Sequence, residues 1–192
     1  MNNTSGNFNT VYGSRAAYTS MTGNGIVAIG DSALYANVSS GNTAVGSRAL
    51  RSNSIGLMNT SVGSESLYLN STGNTNTAIG VNASRNQIIG SNNVAVGAFS
   101  LQNNLNNYNT SVGVFSGSVH NNYSYGTFVG YGADASLSGL TNITAVGSGA
   151  IAVANNQVKL GNSLLPPLAE LLTGALYLMR DLKRMFAMML RV

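Results

Sequence analysis

The residues of this chain that could carry chemistry are few and scattered. Within the first 163 residues the carboxylates are Asp31, Glu65 and Asp134, and the single histidine is His120, in a polar turn. Two carboxylates at a suitable separation could hydrolyse a glycoside, but Asp31 and Glu65 follow repeat glycines, where solvated edges are expected. There is no cysteine and no histidine–carboxylate cluster, so no zinc site is plausible. We expect no enzyme activity, no catalytic residue, no cofactor and no metal.

A repeated glycine sets the elements that would have to position these residues. Ten short apolar phrases end in glycine, at spacings of 17, 16, 17, 17, 17, 16, 17, 17 and 14 residues. So short a period is typical of a coiled, quasi-one-dimensional β architecture rather than a globular enzyme. These structural repeat glycines are Gly13, Gly30, Gly46, Gly63, Gly80, Gly97, Gly113, Gly130, Gly147 and Gly161.

The residues around each glycine predict the local structure of a coil. We number positions from that glycine, so that the residue before it is −1 and the residue after it is +1. Positions −3 and −1 are mostly Val, Ile or Thr, and position −2 is mostly small, which predicts a strand with one buried face. We expect the larger residues, such as Val96, to face the core. Small residues at +3 predict a second, shorter strand, as in 33–35 and 66–68.

Composition favours an ordered roll. The chain has 27 Asn and 23 Gly but only nine basic and five acidic residues. Its apolar residues, 44% of the total, are placed in register, and Asn and Thr at one position per coil can stack as hydrogen-bonding ladders along the axis. The five basic residues of the first 163 are too spread out for a nucleic-acid stripe, so we expect no nucleic-acid partner. The sequence thus predicts an all-β solenoid over 1–163, with about ten coils of 16–17 residues.

The last segment, 164–192, has a different pattern. After two prolines, apolar residues recur on heptads, which predicts an α-helical coiled coil that trimerises or anchors the chain. The apolar stripe is wide enough for three or more helices, or for a bundle shared with another protein. The uncharged run 171–179 is too short to span a bilayer, so we expect no transmembrane segment. The heptad residues are Leu168, Leu171, Ala175, Leu178, Leu182, Met185, Met189 and Val192.

The repeated phrases resemble known fibrous proteins. Residues 42–50 (NTAVGSRAL) and 76–80 (NTAIG) are similar to the head repeats of trimeric autotransporter adhesins and to repeats of bacteriophage fibres. Residues 155–163 (NNQVKLGNS) resemble the neck-like phrase that closes such rolls. The resemblance covers 9–163 and implies a left-handed parallel β-roll, an intertwined or side-by-side homotrimer, followed by a coiled coil.

Two functions are compatible with this resemblance. The first is a structural virion protein, a bacteriophage fibre or attachment module that projects from the particle and contacts a host-surface glycan or protein. Its C-terminal helix would dock on other virion proteins. The alternative is the head domain of a trimeric adhesin on the bacterial cell surface. The printed sequence has neither the signal peptide nor the membrane-anchoring domain of such adhesins, so we favour the virion.

Tyrosines recur at position +5, in Tyr18, Tyr35 and Tyr68. As exposed aromatics they could help to bind an anionic polysaccharide. Alternatively, they pack as second-strand residues at the trimer interface, and the sequence alone favours this second interpretation.

Overall fold

The computed structural model describes residues 5–20 and 22–162, together with Met179, Arg180 and Lys183, which have helical backbone. Residues 5–20 and 22–162 contain no helix and form a parallel β-solenoid of about nine turns. Ten strands, one per coil, pair side by side in sequence order, while β9 and β11 form a separate pair. The strands are β1 (Thr10–Tyr12), β2 (Val27–Ile29), β3 (Thr43–Val45), β4 (Thr60–Val62), β5 (Thr77–Ile79), β6 (Val94–Val96), β7 (Thr110–Val112), β8 (Thr127–Val129), β9 (Asp134–Ala135), β10 (Thr144–Val146), β11 (Ile151–Ala152) and β12 (Val158–Leu160).

The strands stack in strict register, so each position of a coil lies over the same position of the next. In β5 and β6, for example, Thr77 pairs with Val94 and Ala78 with Ala95. The small residue at −2 faces the core, and Ala95 is fully buried. The expectation that Val96 faces the core is wrong, because Val96 lies on the outer side and is half-buried. The interior is so thin that only a small side chain fits at −2 in most coils.

The glycine that ends each strand is required by its backbone and by its neighbour. All ten repeat glycines have positive φ, and Gly80 has a φ of +133°, a region that other residues rarely adopt. A Cβ on Gly80 would lie 2.6 Å from the carbonyl carbon of Gly97 in the next coil. The sequence predicts a bend or a close backbone approach at these glycines, and the structure places a positive φ at all ten and a backbone atom of the next coil within 3.0 Å of the Cβ position at eight of them.

The segment after each glycine differs from the expected second strand. Positions +2 and +4 have left-handed backbone in coil after coil, as in Glu65 (φ 55°) and Leu67 (φ 48°). The segment is a series of turns, although its backbone still bonds to the next coil, as from the Leu67 N–H to the Ala83 carbonyl. Within residues 5–20 and 22–162, only β9 and β11 form true second strands. The left-handed turn at +4 directs leucines such as Leu34 into the core, where they are fully buried.

Where position −2 is serine, the core compensates with a second serine at +3. Ser61 bonds to the hydroxyl of Ser66, and Ser111 bonds to the hydroxyl of Ser116. All four side chains are fully buried, so each hydroxyl needs a partner inside the coil.

An asparagine ladder runs along the core at position −4. The side chain of Asn76 donates to the Gly90 carbonyl (2.8 Å) and accepts from the Asn93 backbone N–H (3.0 Å). Each amide thereby satisfies a buried turn carbonyl and a buried N–H of the next coil. The ladder expected from the sequence is confirmed for these residues, namely Asn9, Asn42, Asn59, Asn76, Asn93 and Asn109.

A second amide column, at position +7, converges on the same turn carbonyls. Asn70 donates to the Gly73 carbonyl at 3.1 Å, and Asn59 donates to that oxygen at 2.8 Å. The core is therefore half polar, with amides in place of part of the usual apolar interior. The fully buried members of this column are Asn37, Asn53, Asn70, Gln87 and Asn104.

The predicted C-terminal helix lies almost wholly outside the described residues. All eight heptad residues that we singled out, from Leu168 to Val192, fall there. The coiled coil and the boundary at 163/164 therefore stay predictions.

The glycine stacking generates a stability prediction. Gly80→Ala should lower the free energy of unfolding by about 3 kcal/mol or more, because it adds a clash with Gly97 to an unfavourable φ. Thermal and denaturant unfolding of the full chain measure this loss. The matched control is Gly132→Asn, since Gly132 has φ +59° with open space around its Cβ position and Asn82 holds the corresponding position of another coil with φ 57°. A Gly80→Ala protein as stable as the control would contradict the stacking account.

Candidate functional site

Two surfaces of the roll could contact other molecules, and the first is the outer sheet face. We use this name for the side chains at −3 and −1 of the ten paired strands. They are Val, Ile, Thr, Leu and one Tyr, with no charged residue among them. Several are substantially exposed, including Ile79 at 41% and Val112 at 40%. The face is thus a continuous, uncharged, partly apolar surface.

The second surface is a column of aromatic and cationic side chains at position +5, which we call the arginine–tyrosine ridge: Tyr18, Tyr35, Arg51, Tyr68 and Arg85. The rings of Tyr18 and Tyr35 stack with centroids 5.3 Å apart. The Arg51 guanidinium lies 5.1 Å from the Tyr35 centroid and 5.9 Å from that of Tyr68, and Arg85 lies 5.0 Å from Tyr68. Such cation–π stacking holds long arginine side chains in place.

The ridge corrects and extends the sequence interpretation of its tyrosines. They do not belong to a second strand, because the backbone there is a turn. They stack along the axis instead, and the repeat places Arg51 and Arg85 at the same position. When the coils are aligned on their glycines, the tyrosines and the two arginines share position +5. An interpretation based on the tyrosines alone misses the arginines.

Glu65 is tied to this surface through two arginines. Its carboxylate accepts from Arg85 Nε at 2.7 Å and from Arg48 Nη2 at 2.7 Å. The hydrogen bond from Arg85, followed by the charges of Arg85 and Arg48, holds the pKa of Glu65 below its ordinary value, against the opposing effect of burial. Glu65 was expected at a solvated edge, but its side chain is only 16% exposed.

An open groove of about 360 Å³ lies beside the ridge. It collects residues from four successive coils, because in-register stacking brings the same positions together. Three of its seven lining residues are arginines and one is a carboxylate. The lining consists of Arg15, Asp31, Ser32, Ser47, Arg48, Arg51 and Tyr68.

The other candidate chemical residues have structural contacts. Asp134 is buried and accepts hydrogen bonds from the Tyr123 hydroxyl and from the backbone N–H of Val119 (2.9 Å). Burial, and then the bond to Asp134, raises the pKa of Tyr123. His120 is half-buried in its turn. The structure does not bring Asp31, Glu65 and Asp134 into one cluster: within 5–20, 22–162 and the three helical residues, no three histidine or acidic side chains lie close enough to hold a metal ion.

No helix in the described part of the chain is both long and apolar enough to cross a membrane.

Comparison with protein-family models finds no match, and comparisons with curated proteins and with solved structures find none either. The resemblance to fibre and adhesin repeats therefore rests on the repeated phrases themselves.

The ion pairs of Glu65 generate a pH prediction. A carboxylate with a lowered pKa in the folded state stabilises the fold above the pKa of the unfolded chain, and this stabilisation is lost as pH falls through the folded-state pKa. Glu65→Gln should therefore lower the unfolding free energy by about 1 kcal/mol at pH 7, given that both arginines are partly exposed, and the difference should shrink below about pH 4.

Denaturant unfolding of both proteins between neutral and acidic pH measures this difference. Asp31→Asn is the control, because Asp31 forms no ion pair among the described residues. At pH 7 this substitution should lower the free energy of unfolding by less than Glu65→Gln does. Equal stability of the parent and Glu65→Gln proteins at pH 7 would show that the pairs contribute nothing.

Proposed function

We propose that this chain is a structural virion protein, a bacteriophage fibre or attachment module that projects from the particle and contacts the host surface. The observation that carries the proposal is the unbroken in-register ladder of ten strands with an uncharged outer face. Continuous ladders make a stiff, slender body that can hold a contact surface away from its support. The resemblance of 9–163 to fibre repeats also supports this proposal.

We propose a homotrimer of left-handed rolls, assembled through the outer sheet face. Parallel sheets are normally covered on both faces, and here the roll's own core covers only one. The other face exposes Ile79, Val112 and Val129 and has no charge that would favour a charged partner. Identical faces of further copies match it in chemistry and in length. Three copies are favoured over two by the resemblance and by the wide apolar stripe of 164–192.

The helix predicted for 164–192 is proposed to bundle in the trimer and to dock on other virion proteins. The roll would then be the part that projects. This assignment gives the two segments, with their different compositions, separate roles: Asn- and Gly-rich coils for the shaft and Leu- and Met-rich residues for attachment.

We propose further that the module has no catalytic activity. Support comes from the contacts of two of the three carboxylates in residues 1–163. Glu65 is engaged by two arginines, and Asp134 is buried against Tyr123, so both serve the fold.

The assembly interface can be tested with one added charge. Val96→Asp places a carboxylate in the outer sheet face and should weaken self-association by at least about tenfold, because burying an unpaired charge between copies is costly. Light scattering after size exclusion, over a range of concentrations, measures the association. The control is Asn92→Asp, which adds the same charge in the same coil at an exposed residue with φ 59°.

Far-UV circular dichroism of both variants checks that the coils still form, since Val96 faces outward from the core. A parent chain that is a stable monomer at micromolar concentration, or equal association of the two variants, would contradict the trimer.

The biological assignment has its own test. Particles purified from a host that encodes the chain should contain it, and gold-labelled antibody against the roll should mark projections on intact particles. Label on the bacterial cell envelope, with none on particles, would contradict the virion role and favour the alternative role as an adhesin head.

A further inference from the structure

We propose that the arginine–tyrosine ridge and its groove bind an acidic polysaccharide, with sugar carboxylates paired to Arg15, Arg48 and Arg51. The inference rests on the proposed function, because it assigns the host-surface contact of the attachment module to one site and one ligand class. Three features of the groove favour such a ligand: guanidiniums with free N–H donors, their stacking on tyrosine rings, and the polar groups around them.

The guanidiniums retain binding capacity. Among the residues that the structure describes, Arg15 and Arg51 pair with no carboxylate. Arg48 has one ion pair, through Nη2 to Glu65, which leaves other N–H donors of its fork. Guanidinium groups bind carboxylates through paired N–H donors, with more geometric specificity than an ammonium group.

Stacking prepares the site before any ligand arrives. Arg51 is placed between the rings of Tyr35 and Tyr68, so part of the side-chain entropy that binding would otherwise cost is already lost in the free protein. Preorganisation of this kind raises affinity without an additional contact.

The shape of the groove suits an extended ligand. Its lining residues follow Gly13, Gly30, Gly46 and Gly63, four successive coils. Arg15 and Arg48 both hold position +2, two coils apart, which at about 4.8 Å per coil is roughly 10 Å along the roll axis. Arg51 lies in the same coil as Arg48, at position +5, and extends the cationic surface across the axis. A linear polymer lying parallel to the axis could place one acidic group against Arg15 and another, two coils farther along, against Arg48 and Arg51.

The remaining lining groups favour a saccharide over a simpler polyanion. Asp31 is an exposed hydrogen-bond acceptor within the groove and is oriented by the hydroxyl of buried Ser32, which donates to it at 3.2 Å, while Ser47 adds an exposed hydroxyl. A sugar ring offers hydroxyl donors to Asp31 as well as a carboxylate to the arginines. A nucleic acid offers phosphates but few hydroxyl donors for Asp31, and the roll has no long basic stripe to receive it.

Calorimetric titration of the full chain with a defined oligogalacturonate tests the inference. The matched ligand is the same oligomer with every carboxylate methyl-esterified, which keeps the rings and removes the charge. We expect the acid form to bind at least about tenfold more tightly than the ester. Each hydrogen-bonded charge pair lowers the dissociation constant by about tenfold or more. Equal binding of the two forms, or binding of neither, would overturn the inference.

Substitutions place the binding on the ridge. Arg51→Gln should weaken binding of the acid form by about tenfold or more, and Arg51→Lys by less, because it keeps the charge but loses the planar fork. Lys159→Gln removes the same charge from β12, far along the coil order, and should leave affinity unchanged. Thermal unfolding confirms that each variant is folded. An equal effect of Arg51→Gln and Lys159→Gln would show general charge attraction and contradict the site.

A heparin oligosaccharide and a single-stranded DNA oligomer complete the experiment. If either one binds as tightly as the oligogalacturonate, the site accepts any polyanion, which contradicts a preference for carboxylated saccharides. If the chain is found on particles but binds no acidic saccharide, this inference fails and the proposed virion role stands. If it binds the saccharide but is absent from particles, the proposed virion role fails.

Discussion

The backbone bonds that hold each coil in register over the preceding one are the constraint on which the rest of this molecule depends. Every strand pairs with its counterpart position for position. Residues at equivalent positions of successive coils therefore lie one above the other and form a column along the roll axis. Glycine then stacks on glycine at the end of each paired strand, most inward amides stack on amides, and the surface tyrosines of the ridge stack on a tyrosine or an arginine. Core, ridge and outer sheet face are all consequences of a repeat of 16–17 residues.

The thin interior turns this register into a problem of buried polar groups. A coil whose inner strand position admits only Ala or Ser cannot move its turn carbonyls away from the core, so those oxygens need donors inside it. The two amide columns supply them: the Gly90 carbonyl, for example, accepts from both Asn76 and Gln87 at 2.8 Å. Near the C-terminal end of the roll, Tyr123 and Phe128 are fully buried and pack against each other. There aromatic packing takes over where the asparagine ladder ends.

The sequence predicts the features that depend on period alone, and it misses those that depend on backbone handedness. The coil glycines, the strand before each one and the asparagine ladder follow from spacing and residue type. The outward direction of Val96 does not, because alternation gives two faces without saying which one the coil encloses. Left-handed turns at residues such as Leu67 are also hidden, since leucine rarely adopts positive φ. Arg51 and Arg85 also hold position +5 when the coils are aligned on their glycines, but a search for recurring aromatic residues does not find them.

We propose that the two surfaces have separate roles: the outer sheet face assembles the chains, and the ridge is left open for a ligand. Electron cryomicroscopy of the full chain in its assembled state tests this proposal most directly. We expect three rolls with Ile79, Val96 and Val112 buried between chains and with Arg51 and Tyr68 on the outside. An assembly in which the sheet face is exposed to solvent, or in which the ridge is buried between chains, would contradict it.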